Sequence, residues 1–195
     1  MNFKKAIRLN GDWKIVSKST NYFTVHRIAL LSVMTALVTV GRLVFALPFL
    51  PNIQPMTALL IIITLNIGVL DGLIVSVLSM LLTNLFLGMG PWTAMQIVSF
   101  SVIILLTALL KPLYRFGSIR NRIIYSLWAL LTGFIYGWLI SYLNFNLYGM
   151  SNFLVYYLNG LPFDGLHAVG NLGFFFILEP ILIPIIRQKF YDVLN

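Results

Sequence analysis

Residues 51–100 read PNIQPMTALLIIITLNIGVLDGLIVSVLSMLLTNLFLGMGPWTAMQIVSF. This stretch holds a single formal charge, Asp71, and is interrupted only by turn-forming clusters at Pro51–Pro55, Asp71-Gly72 and Gly88–Pro91. A membrane-crossing helix needs roughly 17 to 25 largely apolar residues. The runs 57–70, 73–87 and 92–110 approach or meet that length, the first being short and carrying Asn66. The Asp71-Gly72 pair reads as the tight turn that closes it.

Working outward, further apolar runs occupy 28–47, 123–143 and 166–186, giving six candidate spans. The chain has 195 residues, of which 59% are hydrophobic and 9% charged; its mean hydropathy is +0.93. A soluble domain normally carries about 25% charged residues. The expected fold class is therefore an all-α membrane bundle of about six helices. Residues 1–24 read as a basic tail or a short interfacial helix with Phe3, Ile7 and Trp13 among lysines, although Asn10-Gly11 breaks that pattern. Residues 25–188 read as the membrane domain and 189–195 as a second tail. The first twenty residues lack the apolar core and cleavage site of a secretory signal.

The net charge of +8 is a statement about topology. The bases lie at Lys4, Lys5, Arg8, Lys14, Lys18 and Arg27, at Lys111, Arg115, Arg120 and Arg122, and at Arg187 and Lys189; only Arg42 stands apart. Clusters flanking apolar spans mark cytoplasmic segments, where they also attract anionic lipid. No nucleic-acid partner is implied. Both termini and the 111–122 link are expected in the cytoplasm of a bacterial-type plasma membrane. The loops near 48–56, 88–92 and 144–165 face outward and contain no Lys or Arg.

Chemistry at a membrane site needs clustered acids, bases or ligands. This chain has two histidines, His26 and His167, and five scattered acids, without cysteine. HExxH, Ser–Lys and paired-Asp spacings are missing, as is a phosphate loop. The expectation is a non-catalytic chain with no metal and no cofactor of its own. What stands out is a concentration of amides and aromatics on the outer side. Asn52 and Gln54 lie in the first outer loop; Asn84, Trp92 and Gln96 follow in the second region; Tyr142, Asn146 and Tyr156 come from the third. His167 and Asn171, four apart, share a helix face. Such groups suit an organic ligand with flat surfaces and hydrogen-bonding edges, whereas an ion path favours acids and carbonyls. Arg42, about 22 Å along its helix from Arg27 at 1.5 Å per residue, can snorkel or face the same cavity. Glu179, before Pro180, reads as a bond to a neighbouring helix or a brace for the kink there, and not as a ligand group. Gly133 and Gly137, and Ser32 and Ala36 with Ala29 nearby, are small-residue pairs that let helices approach closely.

In its size, basic N-terminus and lack of a motor, the chain resembles the S-components of energy-coupling factor (ECF) transporters. The resemblance covers about residues 25–188. It is most specific in Pro51 and Pro55, Gly68 and Gly72, then Asn84, Gly88, Gly90, Pro91 and Trp92. It implies capture of a vitamin from outside and docking on a transmembrane T-component with two ATPase subunits, which consume the ATP. The family's A-x-x-x-A docking motif is matched by Ser32–Ala36, with serine for the first alanine. The Gly-Pro-Trp-Thr segment most resembles S-components for cobalamin. Pantothenate, folate and riboflavin stay open, as does a small homo-oligomeric channel or secondary transporter.

Overall fold

The computed structural model describes residues 4–9, 12–17, 22–46 and 52–190. Its elements are strands β1 (Lys4–Leu9) and β2 (Asp12–Ser17) and six helices. The helices are α1 (Val25–Phe45), α2 (Met56–Asn66), α3 (Val69–Leu87), α4 (Pro91–Leu110), α5 (Ile119–Tyr148) and α6 (Phe153–Lys189). Five of them are long and apolar enough to cross a membrane, so the chain is a membrane-embedded helical bundle. The sixth, α2, has 11 residues and is about 16 Å long, well short of a hydrocarbon layer of about 30 Å.

The short helix is the centre of the molecule. Every residue from Met56 to Leu65 is buried, and α2 packs against all five other helices. A helix that is apolar all round has no face to give to water and belongs inside. Around it α1 and α3 run parallel to each other, and α5 runs antiparallel to α6. Arg27 at the start of α1 meets Asp71 at the start of α3, and Arg42 near the end of α1 meets Asn84 near the end of α3. Arg122 at the start of α5 meets Glu179 late in α6. One end of the bundle thus gathers Arg27, the 111–122 link and the last turns of α6, and is called the basic end below.

Three sequence expectations change. Asp71-Gly72 is not a turn: the chain breaks at Ile67-Gly68, and Asp71 lies in the first turn of α3. A Cβ on Gly68 would sit 2.5 Å from the Asp71 carboxylate, and one on Gly72 2.5 Å from Thr64 Oγ1. Both positions therefore need glycine for close packing. Second, 144–165 is not a loop. Helix α5 continues to Tyr148, and α6 starts at Phe153 and runs 37 residues through Pro162, Pro180 and Pro184. Gly149 in the left-handed region ends α5, with its N–H and that of Met150 bonded to the Phe145 carbonyl, as a glycine C-cap does. Third, β1 and β2 pair antiparallel from Lys4 opposite Ser17 to Leu9 opposite Asp12. Strands thus occupy the stretch read as a tail or interfacial helix; Asn10-Gly11, between them in sequence, is a strong hairpin signal. The expectations for residues 48–51 and 191–195 lie outside the described residues.

The Gly133 and Gly137 pair does bring α5 onto α6. A Cβ on Gly133 would collide with the Ala168 backbone, and one on Gly137 with the Asp164 carboxylate.

The two buried carboxylates at the basic end are paired. Asp71, fully buried, accepts from Arg27 Nη2 at 2.6 Å, Arg27 Nε at 2.9 Å and the Tyr22 hydroxyl at 3.0 Å. Burial and the bond to Asp71 push Tyr22 up to about 12, so it remains a proton donor at neutral pH. Glu179 accepts from the Tyr114 hydroxyl at 2.6 Å and Arg122 Nε at 3.1 Å, which is the inter-helix bond expected of it. Burial and that bond raise Tyr114 as well. Removing one partner of a buried pair leaves an uncompensated charge, whereas an apolar pair often restores stability. Asp71→Leu is expected to destabilise by on the order of 3 kcal/mol. The Arg27→Leu/Asp71→Leu double variant should recover part of the lost melting temperature, as measured by thermal unfolding in detergent.

Candidate functional site

At the opposite end, the inward faces of the helices carry polar side chains. On α6, Asp164, His167, Ala168 and Asn171 recur at three- and four-residue intervals and are all buried, the periodicity of one helix face. Helix α1 turns Arg42 inward, 8% exposed, and α3 supplies Thr83 and Asn84. Helix α4 begins at Pro91, where proline's missing N–H costs nothing, and presents Thr93 and Gln96. Thr57, one residue into α2, reaches the same level.

These groups form a chain of bonds. Arg42 Nη1 donates to Thr83 Oγ1, to Asn84 Oδ1 at 3.0 Å and to Met80 Sδ at 3.6 Å. Asn84 Nδ2 donates to Thr93 Oγ1 at 2.9 Å and Gln96 Oε1 at 2.7 Å. Tyr136 on α5 precedes Gly137, against which the Asp164 carboxylate packs. Its ring packs edge-on against His167, centroids 5.2 Å apart, and tilted against Phe100 at 4.7 Å. His167 Nε2 is 2.8 Å from Thr57 Oγ1. Two members lack full partners among the described residues: both amide atoms of Asn171 and Oδ2 of Asp164 are buried without a hydrogen bond. Buried polar atoms are nearly always bonded, so these atoms keep unused hydrogen-bonding capacity, as do single oxygens of Thr35, Thr39, Asn66, Ser76, Ser99 and Ser126 elsewhere in the bundle.

The structure thus brings together Arg42, Asn84, Gln96, His167 and Asn171 from the residues singled out in the sequence. It places the others elsewhere. Trp92 folds back over Gly90 and donates to the Gly88 carbonyl at 3.3 Å, half-exposed. It closes the turn before α4. Tyr142 stacks on Trp138 at 5.6 Å and meets Phe153 edge-on, in an exposed aromatic ladder between α5 and α6. Asn146 donates to the Tyr142 carbonyl of its own helix. Tyr156 and Gln54 are half-buried, and Asn52 is exposed with φ 65°. Thr57, Thr83 and Tyr136 were missed. Tyr136 lies between Gly133 and Gly137, so the glycine pair already marked its part of α5 as an α6-facing segment.

No three of His, Asp and Glu cluster as a metal-holding set among the described residues. A separate feature lies on the flank, where α1 and α3 leave an open apolar groove of about 610 Å³ lined by Ser32, Ala36, Leu78 and Leu82 among others. Ala29 and Ser32 are exposed beside it, with Ser32 bonded to the Ile28 carbonyl at 2.9 Å.

Comparison with protein-family models, with curated proteins and with solved structures finds no match for this chain. The site therefore has to be judged on its own chemistry.

Thr57→Val would strand His167 inside the bundle, a loss of about 1–3 kcal/mol. Thermal unfolding in detergent is expected to show a lowered melting temperature for Thr57→Val and none for the exposed Asn146→Ala.

Proposed function

We propose that the chain is the solute-binding subunit of an ATP-driven vitamin importer, of the S-component kind. The observation that carries this reading is the buried polar cluster around Arg42, Tyr136, Asp164 and Asn171, which contains side chains that the bundle itself does not satisfy. Polar and ionisable groups inside a membrane are costly and generally serve function. Amides, an arginine and an aromatic ring together suit a polar organic solute.

On this reading the basic end faces the cytoplasm, in accordance with the positive-inside rule, and the cluster opens toward the outside. Cobalamin is the first vitamin to test, on the Gly90-Pro91-Trp92-Thr93 segment. The buried Arg42 favours a solute with an anionic group, which keeps pantothenate and folate beside it. The small-residue stripe Ala29, Ser32 and Ala36 borders an apolar groove on the lipid-facing flank, a suitable seat for a helix of a T-component. Two ATPase subunits bound to that partner supply the energy, and the chain hydrolyses nothing.

The reading separates binding from transport. Ser32→Trp or Ala36→Trp fills the groove at about 15 Å and about 9 Å, respectively, along α1 from Arg42. In vesicles holding the complete transporter, either variant is expected to abolish ATP-driven vitamin uptake while the purified subunit binds the vitamin with unchanged affinity. Uptake that persists in both would remove the docking assignment. Flux through the chain alone, driven by an ion gradient, would favour a channel or secondary transporter instead.

A further inference from the structure

Buried charge is handled differently at the two ends. At the basic end, Asp71 and Glu179 each hold an arginine. At the opposite end, Arg42 and Asp164 are each 8% exposed, yet neither belongs to a salt bridge among the described residues. They lie on α1 and α6.

Arg42 commits one nitrogen to the bundle. Among the described residues its bonds run through Nη1, to Thr83, Asn84 and Met80, and these acceptors are neutral. The Nε and Nη2 edge, with three N–H donors, has no hydrogen-bond partner among the described residues. That edge is the one a planar pair of anionic oxygens engages with two parallel bonds. On α6, Asp164 Oδ2 and the Asn171 amide are buried without partners among the described residues. A carboxylate accepts only, and an amide both donates and accepts. The glycine at 137 matters here, because any side chain there would occupy the space of the Asp164 carboxylate.

Resting on the importer reading, we propose that Arg42 is an anion subsite and Asp164 with Asn171 an N–H subsite of one bound solute. The solute class is an organic anion, a carboxylate or a phosphodiester, whose other end carries amide or ring N–H groups. The anion supplies the counter-charge that the bundle withholds from Arg42, and the N–H groups satisfy Asp164. Selectivity follows from the unpaired edge: a neutral analogue leaves the guanidinium uncompensated in a low-dielectric site, a loss that exceeds one hydrogen bond.

Two matched pairs of probes test this on the purified full chain by tryptophan fluorescence titration: pantothenate against panthenol, and cobalamin against cobinamide. Panthenol replaces the carboxylate with an alcohol. Cobinamide lacks the phosphodiester together with the ribose and base it carries, so a preference for cobalamin counts for the phosphodiester only where Arg42→Gln erases it. In one pair the anionic member is expected to bind at least about tenfold more tightly. Arg42→Gln should erase that preference and Arg42→Lys, which keeps the charge without the fork, should retain part of it. Asp164→Asn should weaken both members alike. Preference in the first pair identifies a carboxylate, and in the second a phosphodiester. Equal affinity within both pairs overturns the proposal, as does a preference that survives in Arg42→Gln. Should Arg42→Gln fail to elute as a folded monodisperse species, the wild-type pairs decide. Riboflavin binding that Arg42→Gln leaves intact sinks the anion subsite and spares the importer reading. Failure of these probes, folate and riboflavin all to bind sinks both.

Discussion

An ionised side chain inside hydrocarbon costs several kcal/mol unless a partner compensates it, and that constraint organises this bundle. At the basic end each buried carboxylate is surrounded by donors from other segments: Arg27 and Tyr22 on Asp71, Arg122 and Tyr114 on Glu179. These bonds tie α1 to α3 and the α4–α5 link to α6. At the opposite end the same constraint is left partly open: among the described residues Arg42 is bonded to neutral acceptors only and Asp164 to none. The difference between the ends is that one is clamped by ion pairs and the other is the end to which we assign solute binding.

Packing supports this arrangement by letting polar groups come together without water. Helix α2 is too short to cross a bilayer and so apolar that it can only be central. Its position lets five other helices present one face each to a common axis. Glycines do the close work. Gly68 and Gly72 bring the start of α3 against α2 and make room for Asp71, while Gly133 and Gly137 seat α5 on α6 beside Asp164. The same residues that pack the helices therefore also place the two buried acids.

Much of the fold was legible in the sequence because hydropathy reports directly on burial in lipid. Six helices and the grouping of bases at one end followed from runs of apolar residues and the positions of Lys and Arg. The 57–70 run, however, is an 11-residue helix too short to span, which leaves five spans, and α5 and α6 extend well past their expected limits. The misreadings have a shared cause. Asp71-Gly72 has the composition of a turn, but a buried ion pair with Arg27 holds it inside a helix, a tertiary effect that local propensity does not contain. Residues 144–165 are rich in Asn, Gly and Tyr and look like a loop, yet pairing with its neighbour in a long hairpin keeps the segment helical. In the site, Arg42, Asn84, Gln96, His167 and Asn171 were visible as polar residues in apolar runs. Tyr136 and the two threonines were not, because aromatic and hydroxyl side chains are ordinary in membrane helices. Trp92 and Tyr142 drew notice as aromatics near an interface, and their contacts are with their own turn and hairpin.

The central claim is that the Arg42 end of the bundle holds a vitamin-sized organic anion. The most direct measurement is native mass spectrometry of the full chain, purified in mild detergent from cells grown with vitamins and then stripped and reloaded with each in turn. The account predicts one bound solute per chain, of a mass matching an anionic vitamin, that leaves on denaturation and rebinds on reloading. A chain that emerges empty, and stays empty through the whole series, would contradict it.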